Sequence, residues 1–113
     1  EETSHVDSEQ VYNVAEEMPN YPGGFIECSN FLDEHIKYPA TAKESGTHGR
    51  VVLQFIVEKD GSLSQIEVVR NVDPDLDKEA VRVVKSMPKW IPGKLNGETV
   101  RVKYTLPISF RLE

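Results

Sequence analysis

Few side chains in this 113-residue chain have the types and spacing that chemistry needs. Cys28 and His35 come first, because a thiolate beside an imidazole makes a nucleophile. Seven residues apart on a helix, they share a face but lie about 10 Å apart along its axis at ~1.5 Å per residue. That is too far for the pair, and Cys28 reads better as a small core residue. It is the only cysteine, so no intrachain disulfide is possible. His5 sits in a polar N-terminal stretch, and His48 precedes Gly49 in a loop that should face water. Asp73, Asp75 and Asp77 read as helix-start electrostatics rather than a calcium loop. Tyr21-Pro22-Gly23-Gly24 lacks the Lys and Ser/Thr of a phosphate loop. The sequence therefore predicts no catalytic residue, no metal site, no cofactor and no enzymatic activity.

What remains is chemistry of the main chain, and the elements that would present it. Arg50–Arg70 reads RVVLQFIVEKDGSLSQIEVVR, two β-rich runs about Asp60-Gly61. A two-residue type I′ turn there sets Phe55 opposite Ile66, Leu53 opposite Val68 and Val51 level with Arg70. On the other face Gln54 meets Glu67 and Ile56 meets Gln65. The apolar set falls on one side, as in a sheet covered on one face only. From Val100 to Leu112 apolar and other residues alternate strictly, which predicts a long strand. Asn96-Gly97 before it is a second tight-turn candidate.

Two helical stretches accompany these strands. Phe25, Cys28, Phe31/Leu32 and Ile36 recur at helical steps, and the helix should stop before Pro39. Pro39–Ser45 has room for one or two more turns, with Gly46 as C-cap. Asp73-Pro74 opens another helix whose stripe is Leu76, Ala80, Val83, Val84 and Met87, ended by Pro88. Trp90, in a proline-rich turn, reads as a plug over the core. Val11–Met18 could be a short strand or an extended segment.

The order helix, strand, strand, helix, strand predicts an α+β domain, two helices packed on one face of a three-stranded antiparallel sheet. The last strand should pair with Val51–Val57 and form an edge, where Pro107 is tolerated. Such an edge can accept an extended peptide as an added strand. It can equally be an ordinary edge blunted by Arg101, Lys103, Pro107 and Arg111.

Charge excludes other partners. Residues 1–17 carry six of the nineteen acids and no Lys or Arg, so the remainder holds thirteen acids against thirteen bases. Residues 1–18 are thus expected to be an acidic, largely disordered linker end, and residues 19–113 the domain. No basic face for nucleic acid or membrane stands out. No 18-residue apolar run exists, and the chain starts without Met.

Tyr21-Pro22-Gly23-Gly24, Ile36-Lys37-Tyr38-Pro39 with Ala42 and Gly46, and Gly49-Arg50-Val51 with Phe55, Val57 and Asp60-Gly61 together resemble the C-terminal domain of TonB energy transducers. So do Asp75-Leu76-Asp77 through Ala80, Met87-Pro88-Lys89-Trp90 with Pro92-Gly93, and Pro107-Ile108 with Phe110. The Pro-Gly-Gly start and the Ser86–Gly93 stretch resemble the Bacteroidota branch, with Tyr21 in place of its usual Phe. The resemblance spans about Tyr21 to Leu112. It implies a periplasmic domain, the soluble C-terminal part of an inner-membrane-anchored protein, that couples an ExbB/ExbD motor to TonB-dependent outer-membrane transporters during nutrient uptake. The implied partner is the transporter's TonB box, captured beside the last strand at Val100, Arg101, Val102, Lys103, Tyr104 and Leu106, with Tyr38 and Pro39 at the family's Tyr-Pro site. ExbB/ExbD would be reached through an anchor and Pro-rich linker that this sequence lacks. Alternatives are a TonB-like interaction module of a membrane sensor-peptidase and a self-associating structural domain that forms a homodimer through the same edge.

Overall fold

A computed structural model describes residues 10–111. The elements are β1 (Val11–Tyr12), α1 (Phe25–His35), α2 (Ala40–Ser45), β2 (Gly49–Val57), β3 (Leu63–Arg70), α3 (Pro74–Lys85), β4 (Gly93–Leu95) and β5 (Glu98–Phe110). Local chemistry accounts for most boundaries. Asp73 caps α3, its Oδ2 accepting from the N–H groups of Asp75 (3.0 Å) and Leu76 (3.4 Å), and Pro74 occupies the first turn. Gly46 ends α2 in the left-handed conformation. Asn96 and Gly97 have φ of 54° and 79°, so the β4–β5 hairpin closes through the two-residue turn that Asn-Gly favours.

The sheet runs β1-β5-β2-β3, with β4 also on β5. β5 pairs antiparallel with β2 from Gly49↔Phe110 to Val57↔Val102 without a shift. The fold has more elements than the expected two helices and three antiparallel strands. Three helices replace two, and β1 and β4 bring the strands to five. Because β1 joins β5 parallel, at Val11↔Arg101 and Tyr12↔Val102, the sheet is mixed. The expected disordered stretch falls outside the described residues for 1–9. From Val11 onward the chain crosses the β4–β5 hairpin, burying Ala15 against Val100 and Val102, and bridges β4 at Glu17↔Lys94.

The β2–β3 turn also differs. Gly61 N–H donates to the Glu58 carbonyl and Glu58 N–H to that of Ser62, each at 2.8 Å, making a three-residue loop in which only Gly61 has positive φ. Trp90 N–H reaches the Gly61 carbonyl at 2.8 Å, and a Cβ at Gly61 would lie 2.1 Å from the Trp90 oxygen. Tertiary contact thus decides the turn type. The Leu53↔Val68 and Gln54↔Glu67 pairs form as expected, but bulges on either side move Ile56 opposite Ser64 and set Val52, not Val51, level with Arg70.

The covered face holds Val51, Leu53, Phe55 and Val57 of β2 and Leu106, Ile108 and Phe110 of β5. Leu76, Ala80, Val83 and Val84 of α3, Cys28 of α1 and Ala42 of α2 complete it. Trp90 is the expected plug, edge-on to Phe55 (5.4 Å), Tyr104 (5.0 Å) and Tyr21 (5.8 Å). α1 keeps only Cys28 fully buried, with Phe25 71% and Ile26 72% exposed. The helix therefore lies partly beyond the core.

Candidate functional site: the outer edge of β5

β5 is thirteen residues long, and β2 and β4 together account for one of its two edges. Main-chain groups along a strand alternate between edges. Pro107 has no N–H yet sits inside the unbroken β2 ladder, opposite Val52, so the odd-numbered residues point away from β2. The two-residue hairpin agrees, since its closing pair Leu95↔Glu98 turns even-numbered residues toward β4. Arg101, Lys103, Thr105, Pro107 and Ser109 thus form the outer row.

β1 occupies the start of that row. Its parallel register at Val11↔Arg101 and Tyr12↔Val102 takes up the outward groups of Arg101 and extends to Lys103. The edge expected to be open from Val100 is therefore closed at Arg101, because the N-terminal segment turns back onto the sheet. Beyond it, among the described residues, no strand pairs with the outer edge. The row there offers the N–H groups of Thr105 and Ser109 and the carbonyls of Lys103, Thr105, Pro107 and Ser109. Pro107 leaves a gap in the donors, not in the acceptors.

Beside this open stretch lies a groove of about 320 Å³ between β5 and the overhanging α1, lined by Phe25, Cys28, Ser29, Leu32, Leu106 and Ile108 among others. A ribbon added to the outer edge would send alternate side chains into it.

The predicted site residues separate into two groups. Val100 and Val102 are fully buried against Ala15, and Leu106 is buried in the main core. Tyr104 packs its half-buried ring tilted against Phe55 and edge-on to Trp90, while Lys103 is exposed on the uncovered face. Arg101 Nε donates to Glu58 Oε1 at 2.8 Å, with side chains 20% and 25% exposed. That hydrogen bond, aided by one from Ser64 and opposed by partial burial, holds the Glu58 carboxyl below the usual carboxylate range. Tyr38 and Pro39 lie at the far end of β5. The Tyr38 ring is edge-on to Phe110 at 5.8 Å and its hydroxyl bonds the Thr47 carbonyl. Eight residues separate Phe110 from Val102, about 26 Å at ~3.3 Å each.

Sequence reasoning missed what positions Tyr38. Glu79 on α3 accepts from Lys37 N–H at 2.7 Å and from Arg82 at 2.8 and 2.6 Å, and Arg82 also donates to the His35 carbonyl at 2.9 Å. These bonds clamp the α1–α2 connection to α3. The Glu79-x-x-Arg82 spacing signals an ion pair, but nothing local signals its reach to residues 35–37. Burial pushes the Cys28 thiol up, so it stays protonated. Among the described residues no three His, Cys, Asp or Glu side chains are grouped to hold a metal ion, and no helix is long and apolar enough to cross a membrane.

Fold and site together define a small α+β domain whose longest strand is left partly unpaired beside an overhanging helix. The chain belongs to the Gram-negative bacterial TonB protein C-terminal family, whose model matches residues 34–112. It is 33% identical over 78 residues to protein TonB of Helicobacter pylori, covering 68% of this chain and 26% of that protein. With protein TonB of Haemophilus influenzae it shares 34% over 82 residues, 66% of this chain and 29% of the relative. The chain therefore spans only about a quarter of the length of these curated relatives. Among solved structures, the solution structure of the H. pylori TonB C-terminal domain superposes with a TM-score of 0.61 at 26% identity, over 78% of this chain and 79% of that one. The Pseudomonas aeruginosa TonB C-terminal domain gives 0.54 at 26%, over 68% and 78%.

Proposed function

We infer that this domain is the periplasmic, partner-binding end of a TonB-type energy transducer of the Bacteroidota kind. It captures the TonB box of an outer-membrane transporter as a strand added to β5 and passes on force from an ExbB/ExbD motor. The observation that supports this reading is the free outer row from Lys103 to Ser109, set beside the groove under α1. Backbone pairing supplies affinity there, and the groove supplies selectivity. Hydrogen bonds loaded along a strand resist pulling together, which suits a mechanical link. The transducer carries out no chemical step in this reading. A homodimer through the same row would compete with the peptide.

Titration of the labelled domain with a transporter's N-terminal peptide tests it. Amide shifts should concentrate at Thr105, Ser109 and the α1 residues lining the groove. Thr105→Pro removes an outward donor while sparing the β2 ladder, so binding should weaken on the order of tenfold with the fold intact. Thr105→Ala should change little. Shifts confined to the outer surface of α3 would refute strand addition.

A further inference from the structure

The five arginines of this chain divide cleanly. Arg82 and Arg101 are ion-paired, with Glu79 and Glu58. Arg50, Arg70 and Arg111 have no carboxylate within salt-bridge distance among the described residues, and these three line one depression of about 340 Å³ with His48, Ser109 and Phe110. The sheet explains how they meet. Arg50 lies opposite Ser109, and Arg70 opposite Val52, so β3, β2 and the end of β5 each bring one guanidinium to the same corner. Neighbouring strands lie ~4.8 Å apart, so the row spans roughly 10 Å. Three like charges gathered at one corner repel one another, and no described carboxylate is ion-paired with any of them. All three are arginine, whose planar fork matches carboxylates in pairs. The corner also adjoins the free edge, because Arg50 and Arg111 line the groove under α1 as well.

We propose that Arg50, Arg70 and Arg111 bind an acidic segment that continues from the partner's added strand past Ser109, fixing the direction in which that strand lies on β5. This rests on the strand-addition reading above. The opposite end of the free edge has no equivalent, since Arg101 there is held by Glu58.

The test uses the 113-residue chain and the transporter N-terminal peptide, extended with three glutamates or three glutamines at one terminus or the other. Glutamates at one terminus should tighten binding about tenfold over glutamines, and at the other terminus should not. Salt should erode the gain, and the double variant Arg50→Gln/Arg70→Gln should abolish the difference between glutamate and glutamine peptides. That variant should unfold at an equal or higher denaturant midpoint, because it removes uncompensated charge; a lower midpoint would mean that the arginines are structural. A gain below twofold at both termini, or one that survives the double variant, overturns the proposal. Hexaglutamate, which has no strand pattern, separates the two readings. It should shift the Nε–Hε signals of Arg50, Arg70 and Arg111 and not those of Arg82 and Arg101, even if β5 amides answer no peptide. Inorganic phosphate saturating those signals at lower concentration would assign the corner to phosphate and sink the proposal.

Discussion

Glu58 shows how one side chain links stability to pH. Its carboxylate accepts from Arg101 across the uncovered face and is held below its ordinary value of about 4.3 chiefly by that bond. A lowered folded-state value means that the stabilisation is fully present above the unfolded carboxylate's range and is lost as pH falls through the folded one. Glu58→Gln should therefore cost about 1 kcal/mol at pH 7, discounted for partial exposure. The difference from the parent should shrink as pH falls through the lowered range of the folded carboxylate, as measured by urea unfolding at neutral and acid pH. A gap that persisted in acid would mean that Glu58 acts through packing. The pair also holds the Arg101 side chain beside the point where β1 meets β5.

At the scale of elements, β5 is shared among three partners. β2 and β4 use its inner edge, and β1 takes two residues of the outer one. A two-residue parallel pairing is weak, and its anchor is the burial of Ala15 against Val100 and Val102. Tyr12→Pro should remove β1's donor to β5, cost about 1 kcal/mol of stability, and lengthen the row a peptide can use. Peptide binding should then strengthen severalfold, with new amide shifts at Arg101 and Lys103 in the titration. Unchanged affinity would show that the partner never reaches that far. α1 contributes through looseness, since a helix buried only at Cys28 leaves room for a ribbon beneath it.

For the whole molecule, the free edge invites either a partner or a second copy. Lys103 and Pro107 blunt it without closing it. If copies pair through this row, sedimentation should show dimers at high concentration that a saturating peptide returns to monomer, because both use the same groups. A profile that is monomeric throughout dismisses the homodimer. Dimers that persist with peptide bound place self-association on another surface.

Much of this architecture was legible in local chemistry. The strict alternation from Val100 placed the last strand, Asp73-Pro74 placed the start of α3, and Asn96-Gly97 placed a tight turn, because pleat, cap and turn each depend on neighbours in the chain. The spacing of proline, glycine and aromatic punctuation from Tyr21 to Phe110 also carried the family resemblance that the match to residues 34–112 bears out. Four features were decided only in three dimensions: the loop at Gly61, set by Trp90; β1 on the edge of β5; the groove under α1; and the meeting of Arg50 of β2, Arg70 of β3 and Arg111 just past β5. Each joins segments distant in sequence, whose energy comes from contacts that exist once the sheet has formed, so no local pattern encodes them.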